Sequence, residues 1–221
     1  MTTEPGDERP ETRRTRRGEA RDALLRARAA DLFLERGYDS VTIDDVVRDV
    51  GGSKGSVYSF YGGKDGLFLA AMDDTLNELA LPLKRLELKS LSLERGLSEF
   101  AGTLLSVLLQ ERHLAFQRLV ITEAVRHPQV GLNWHQHGPA ATRAILAGFL
   151  ANQQALGRVR PDADPARVAT LFHDMITFDL LNRAMMRIGG GPGPEEIAET
   201  IRDAVAVFTR GIGQPKEAEP A

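Results

Sequence analysis

The side chains best suited to chemistry are small hydroxyls and long cations grouped in one short stretch. Ser53, Lys54, Ser56 and Ser59 share it with Tyr58 and Lys64. These types suit contact with a nucleic acid better than bond-making. Small polar groups on a helix let its backbone approach base edges, and Lys54, Tyr58 and Lys64 are long enough to reach phosphates. The rest of the chain offers little catalytic chemistry. There is no cysteine, which excludes disulfides, thiolate metal sites and cysteine nucleophiles. No Gly-rich phosphate loop or nucleophile elbow is present. His135 and His137 are two apart, so on a helix they point in different directions and do not form the i, i+4 pair of a metal site. A site across helices, joining a histidine to Glu123 or Asp174, is the metal alternative. No metal and no cofactor are expected. A helical enzyme with dispersed acids would carry none of these motifs and stays open as an alternative.

Such a patch needs elements to position it. The chain reads as all-α, with no alternation of apolar and polar residues over strand lengths. A first helix is expected from Glu19 to Arg36, with Leu24, Leu25, Leu32 and Phe33 in its buried stripe and Gly37 as its C-cap. Thr42 and Asp45 have capping-box spacing, with Asp in place of the usual Glu or Gln. They open a helix whose inner face is Val46, Val47 and Val50. Gly51-Gly52 breaks it, Ser53 caps the next, and Val57 and Phe60 face back toward the valines. Two short helices joined by a glycine turn can set the second into a DNA major groove. By pattern alone they could equally be a hairpin in a packed bundle. A fourth helix starts at Lys64.

Residues 21–72 resemble the DNA-binding domain of the TetR family of repressors. The resemblance is carried by Leu32-Phe33-Leu34-Glu35-Arg36-Gly37-Tyr38, Thr42-Ile43-Asp44-Asp45-Val46, Gly51-Gly52-Ser53-Lys54-Gly55-Ser56-Val57-Tyr58 and Tyr61-Gly62-Gly63-Lys64-Asp65-Gly66-Leu67. It implies phosphate contacts for Thr42, Tyr58 and Lys64, and a base-reading helix bearing Ser53, Lys54, Gly55, Ser56 and Ser59. Three positions depart from the family pattern: Val47 stands where Ala is common, Gly52 where an apolar residue is common, and Phe60 where His is common. Phe60 is therefore given no DNA role. Between Arg9 and Arg17, just ahead of this unit, five arginines (Arg9, Arg13, Arg14, Arg16 and Arg17) stand against one acid, Glu11. They form a solvated tail or an arm that reaches an adjacent minor groove.

Beyond residue 64 the chain reads as a larger helical domain, with helices near 92–111, 113–127, 129–137, 139–156, 165–188 and 194–212. Segments within roughly 115–185 resemble the AefR-like C-terminal subtype of the same family: Arg118-Leu119-Val120-Ile121-Thr122-Glu123-Ala124, His127-Pro128, Gly138-Pro139 and Asp164-Pro165. That resemblance implies dimerisation and a small-molecule effector. Candidates for the effector pocket are Phe116, Val120, Trp134, Phe149, Met175 and Phe178, with Glu123, Arg118 or Asp179 as polar partners. The same residues could simply be core. The last two long helices offer Phe172, Leu181, Met185, Ile201, Val205 and Phe208 for a four-helix homodimer interface, or they are buried within one subunit.

The expected organisation is a flexible arm over 1–17, a helix-turn-helix domain over 18–64, an effector and dimerisation domain over 65–213, and a disordered tail over 214–221. Across 221 residues, 42% are apolar and 27% charged, with a formal net charge of −3. No apolar run approaches the roughly 20 residues of a membrane helix, and the N-terminus lacks the apolar core of a signal peptide. A cytoplasmic protein that binds a double-stranded DNA operator as a homodimer is expected, with no membrane partner. Repression and activation use the same binding chemistry, and a protein-interaction role on the same fold is a further alternative.

Overall fold

A computed structural model describes residues 16–213. Among them the fold is all helical: α1 (Arg16–Arg36), α2 (Ile43–Val50), α3 (Lys54–Tyr61), α4 (Lys64–Leu79), the single turn α5 (Leu81–Lys84), α6 (Leu93–Leu108), α7 (Glu111–Glu123), α8 (Pro128–His137), α9 (Pro139–Ala155), α10 (Pro165–Met185) and α11 (Pro194–Ile212). Arg13, Arg14 and the expected C-terminal tail lie outside the described residues. Arg16 and Arg17 belong to the first turn of α1, which starts three residues before the expected Glu19.

Local chemistry sets many of these boundaries. Thr42 caps α2 through a reciprocal pair: its side chain accepts from the Asp45 N–H, and the Asp45 carboxylate accepts from the Thr42 N–H at 2.9 Å. Ser53 caps α3 by accepting from the Ser56 N–H at 3.1 Å. Gly62 closes α3 in a left-handed conformation (φ 74°) that a side chain would strain. Several later boundaries differ from the expected ones. α7 begins at Glu111 and stops at Glu123, because residues 124–127 fold into a turn that returns the His127 N–H to the Glu123 carbonyl. α10 stops at Met185, two residues before Arg187, whose backbone is left-handed (φ 56°).

Two hydrophobic cores organise the chain. The first gathers Phe33, Val46, Val57, Phe68 and Leu76 from the N-terminal helices, and it extends into α7 and α8 through Phe116, Leu119, Val120 and Val130. The second joins Leu97, Phe100, Leu146, Phe149, Phe172 and Phe208 from α6, α9, α10 and α11. Two glycines permit close approach. A Cβ on Gly66 would lie 1.9 Å from the Tyr61 carbonyl oxygen, and one on Gly96 would lie 2.1 Å from the Phe149 ring. Ion pairs tie α1 to its neighbours: Arg26 to Asp74 at 2.6 Å and Arg112 to Asp31 at 2.7 Å. No described helix is long and apolar enough to cross a membrane.

Candidate nucleic-acid interface and ligand cavity

The short second and third helices are held from behind. Val46 and Val57 are fully buried between them, and Val47 is half-buried. Gly51 turns the chain at φ 70°, and Arg21 of α1 donates to the Gly51 carbonyl at 3.2 Å, pinning the turn to the long helix. Tyr61 donates to Asp22, which also fixes α3 to α1; burial and the neighbouring carboxylate push its phenol up to about 12. Phe60 is the exception to the expected inner face. It is 59% exposed, because Val57 already fills the seam.

With the inner face committed, Ser53, Lys54, Gly55, Ser56, Tyr58 and Ser59 are all exposed on one side. Thr42, Lys54, Tyr58 and Lys64 line a single shallow concavity with Asp39 and Asp44. Lys64 is held over the Tyr38 ring, with its Nζ 4.1 Å from the centroid and 3.4 Å from the Asp39 carbonyl. It opens α4, to which Gly63 gives no side-chain cap, so a cation and a helix N-terminus coincide. Lys54 pairs with Asp44 at 2.6 Å, and this hydrogen bond raises its pKa. The pairing aims the ammonium before any partner arrives.

Tyr38 links this face to the rest of the molecule. Its hydroxyl donates to Asp65, and its ring lies 4.7 Å from that of His127, which also packs against Phe68 at 5.4 Å. Arg126 reaches Asp39 at 2.7 Å. The turn between α7 and α8 therefore rests on the α1–α2 junction beside Lys64.

The polar chemistry of the C-terminal region gathers elsewhere. A cavity of about 340 Å³, open on one side, is lined by residues of α4 to α10, with Leu76, Leu79, Leu83 and Leu104 in its apolar wall. Of the expected pocket residues, Trp134 and Phe178 line it. Phe116 and Val120 instead face the first core, Phe149 is packed in the second against Gly96, and Met175 is exposed on the outer side of α10. Glu123 is buried at the α7–α8 turn near Arg126 and His127, Asp179 pairs with Arg183, and Arg118 pairs with Glu111. None of these three carboxylate or guanidinium groups lines the cavity.

The polar wall includes His113, Gln117, Thr142, Arg143, His173 and Thr177, with His137 and Asn182 beside them; the sequence reading missed these residues. A signal existed. His113 and Gln117, and likewise His173 and Thr177, are polar residues four apart inside apolar stripes, a spacing that puts both on one helix face. His113 lies 3.1 Å from Gln117, and burial pushes its imidazole down to about 4.

The expected dimer residues are also redistributed. Phe172, Val205 and Phe208 are sealed in the second core, out of reach of a partner, and Ile201 packs against that core half-buried. Leu181 and Met185 line the cavity. The outward apolar face of α10 and α11 is Leu171, Met175, Phe178 and Val207.

The chain matches two family models. Residues 25–71 match the bacterial regulatory proteins of the tetR family, and residues 95–211 match the AefR-like transcriptional repressor C-terminal domain. The HTH-type transcriptional repressor AcnR of Corynebacterium diphtheriae is 30% identical over 176 residues, covering 78% of this chain and 85% of its own. The crystal structure of a TetR-family transcriptional regulator from Mesorhizobium loti aligns with a TM-score of 0.74 at 24% identity, covering 91% of this chain and 100% of its own. The flavonoid-responsive regulator FrrA aligns with a TM-score of 0.75 at 24% identity, covering 90% and 99%.

Proposed function

The chain belongs to the TetR family of transcriptional regulators, with an AefR-like C-terminal domain, and on that premise we propose that it is a homodimeric repressor of a palindromic operator, released by a small molecule bound in its C-terminal cavity. The observation that carries the DNA half is the gathering of Thr42, Lys54, Tyr58 and Lys64 around one concavity, beside the exposed serines of α3. Phosphate contacts from Thr42, Tyr58 and Lys64 set the register, and Ser53, Lys54, Gly55, Ser56 and Ser59 face the bases. Arg13, Arg14, Arg16 and Arg17 are assigned to DNA contact on their charge and their position in the sequence alone; Arg13 and Arg14 lie outside the described residues.

Two reading heads need a two-fold axis. The outward face Leu171, Met175, Phe178 and Val207 is the surface for a second copy. The two α3 helices then stand about one DNA turn apart, roughly 34–36 Å, or a multiple of it. α4 is the lever between the sites. One end carries Lys64 and packs against α3, while the other puts Leu76 and Leu79 into the cavity wall. An effector that favours a conformer with the wrong separation shifts the population away from DNA, and DNA weakens effector binding by the same factor. The regulator acts in the cytoplasm, without a membrane partner.

Enrichment from a random DNA pool tests the reading. The expected product is an inverted repeat with half-sites centred about one helical turn apart, or a multiple of it. A pool that yields no enriched sequence overturns the DNA half.

A further inference from the structure

The wall of the cavity restricts what can occupy it. Its volume of about 340 Å³ lies at the lower end of the roughly 300–1,000 Å³ typical of small-molecule sites. Among the described lining residues Arg143 is the single formally charged group; there is no Asp or Glu. Arg143 donates to Asp174 at 2.6 Å, and that carboxylate is half exposed outside the lining. The ion pair is thus an oriented dipole with its positive end in the wall. Asp174 is shared with His173 Nδ1 at 3.0 Å, and the Arg143 Nε is buried without a partner.

The remaining polar wall, which includes His137, His173 and Asn182, carries no formal charge. His113 Nε2 faces the Gln117 Oε1, which can only accept, so in this pairing Nε2 donates, the amide NH2 of Gln117 keeps its donors, and the buried Nδ1 is left as an acceptor without a partner. Burial keeps the His113 ring uncharged at neutral pH. Thr142 and Thr177 spend their hydroxyl hydrogens on the Pro139 and His173 carbonyls. Trp134 also lines the cavity, and its indole N–H can only donate. A cation entering this wall would meet a guanidinium and no carboxylate. A neutral body would leave the guanidinium's donors unanswered. An oxyanion meets the one charge available, through the stronger charge-assisted hydrogen bond.

We infer that the effector is an organic oxyanion, a mostly apolar molecule of small-ligand size with one carboxylate-like head directed to Arg143, Gln117 and Trp134. This rests on the reading of the cavity as the effector site. Trp134 is the only tryptophan in the sequence, so its fluorescence reports on the wall directly. The full-length protein is titrated with decanoate, decanamide and decylammonium, which share one non-absorbing chain and differ in charge.

Decanoate is expected to bind about tenfold or more tighter than decanamide, the size of a charge-assisted hydrogen bond, with decylammonium weakest. Arg143→Gln should bring decanoate to within about threefold of decanamide, and Arg143→Lys should keep most of the preference. Far-ultraviolet circular dichroism confirms that each variant is folded. Decylammonium binding as tightly as decanoate, or an unchanged preference in folded Arg143→Gln, overturns the anion inference while leaving the cavity as the effector site. If no probe shifts Trp134, or if binding survives in a cavity-filled Thr177→Phe variant, the cavity itself is not the effector site.

Discussion

The patch proposed to face DNA and the cavity gather their side chains in opposite ways. The patch draws on one continuous stretch, Thr42 to Lys64, in which caps and glycines aim each group: Thr42 on Asp45, Ser53 on Ser56, Gly62 at the close of α3. The cavity draws on seven helices, and no cap or turn decides its contents. Its wall is whatever remains between Leu76 of α4, Gln117 of α7, Arg143 of α9 and Thr177 of α10 once the two cores have closed. A locally encoded surface depends on backbone geometry, whereas an assembled cavity depends on packing. The two regions should therefore fail differently when perturbed.

The largest expected effect is at the glycines. Gly66→Ala drives a Cβ against the Tyr61 backbone carbonyl, which cannot move without unwinding the end of α3, and should cost about 3–4 kcal/mol and abolish DNA binding. Gly96→Ala meets the Phe149 ring, which can yield, so a smaller loss of about 1–3 kcal/mol is expected, with the operator contact spared. Thermal melts with parallel gel shifts separate the two; equal losses would erase the distinction drawn between the regions.

Acid should act on the cavity region next. Burial lowers the His113 pKa from 6.5 unfolded to about 4 folded. A depressed folded pKa means the unfolded chain binds more protons between these values. The stability tied to neutral His113 is then complete above about pH 6.5 and is lost as pH falls through 4, a change on the order of 3 kcal/mol. His173, also pushed down by burial, adds to the same slope. Melting temperature against pH should flatten across this window in His113→Gln. Parallel curves for the variant and the parent would show that burial of His113 is not what sets the slope.

At the patch, Tyr58→Ala with Lys64→Ala should weaken binding to specific and random DNA alike, with the loss of Lys64 reducing the salt dependence by about one unit of slope. Stability should change by less than about 1 kcal/mol, since Tyr58 is exposed and Lys64 contributes one cation–π contact. Unchanged DNA affinity in the folded double variant would remove the patch from the interface. A single-cap effect is expected of Thr42→Ala, which removes one side of the capping box and should lower stability by about 1 kcal/mol. No detectable change in the melt would mean that Asp45 alone holds the end of α2.

The same contrast governs what could be read in advance. The helix-turn-helix was legible because Thr42, Gly51, Ser53 and Gly62 are punctuation whose meaning is local. Phe60 was misplaced because helical spacing allowed it inward, and only the packing of Val46 on Val57 shows the seam to be already full. α10 is apolar on more than one face, so its phase could not be taken from the pattern. Of the residues expected at the interface, Leu181 and Met185 line the cavity and Phe172 is inside the core, while Met175, expected in the pocket, lies outside.

By itself the sequence determined an all-helical chain, the position of the DNA-reading unit and the outward set of side chains on α3, because caps, glycine turns and amphipathic periodicity act over a few residues. Only the tertiary structure decided that Lys64 rests on Tyr38 beside the α7–α8 turn, and that Arg143, Gln117 and Trp134 meet around one cavity. Those meetings join residues far apart in the chain, and they arise from how the two cores pack, which no local pattern records.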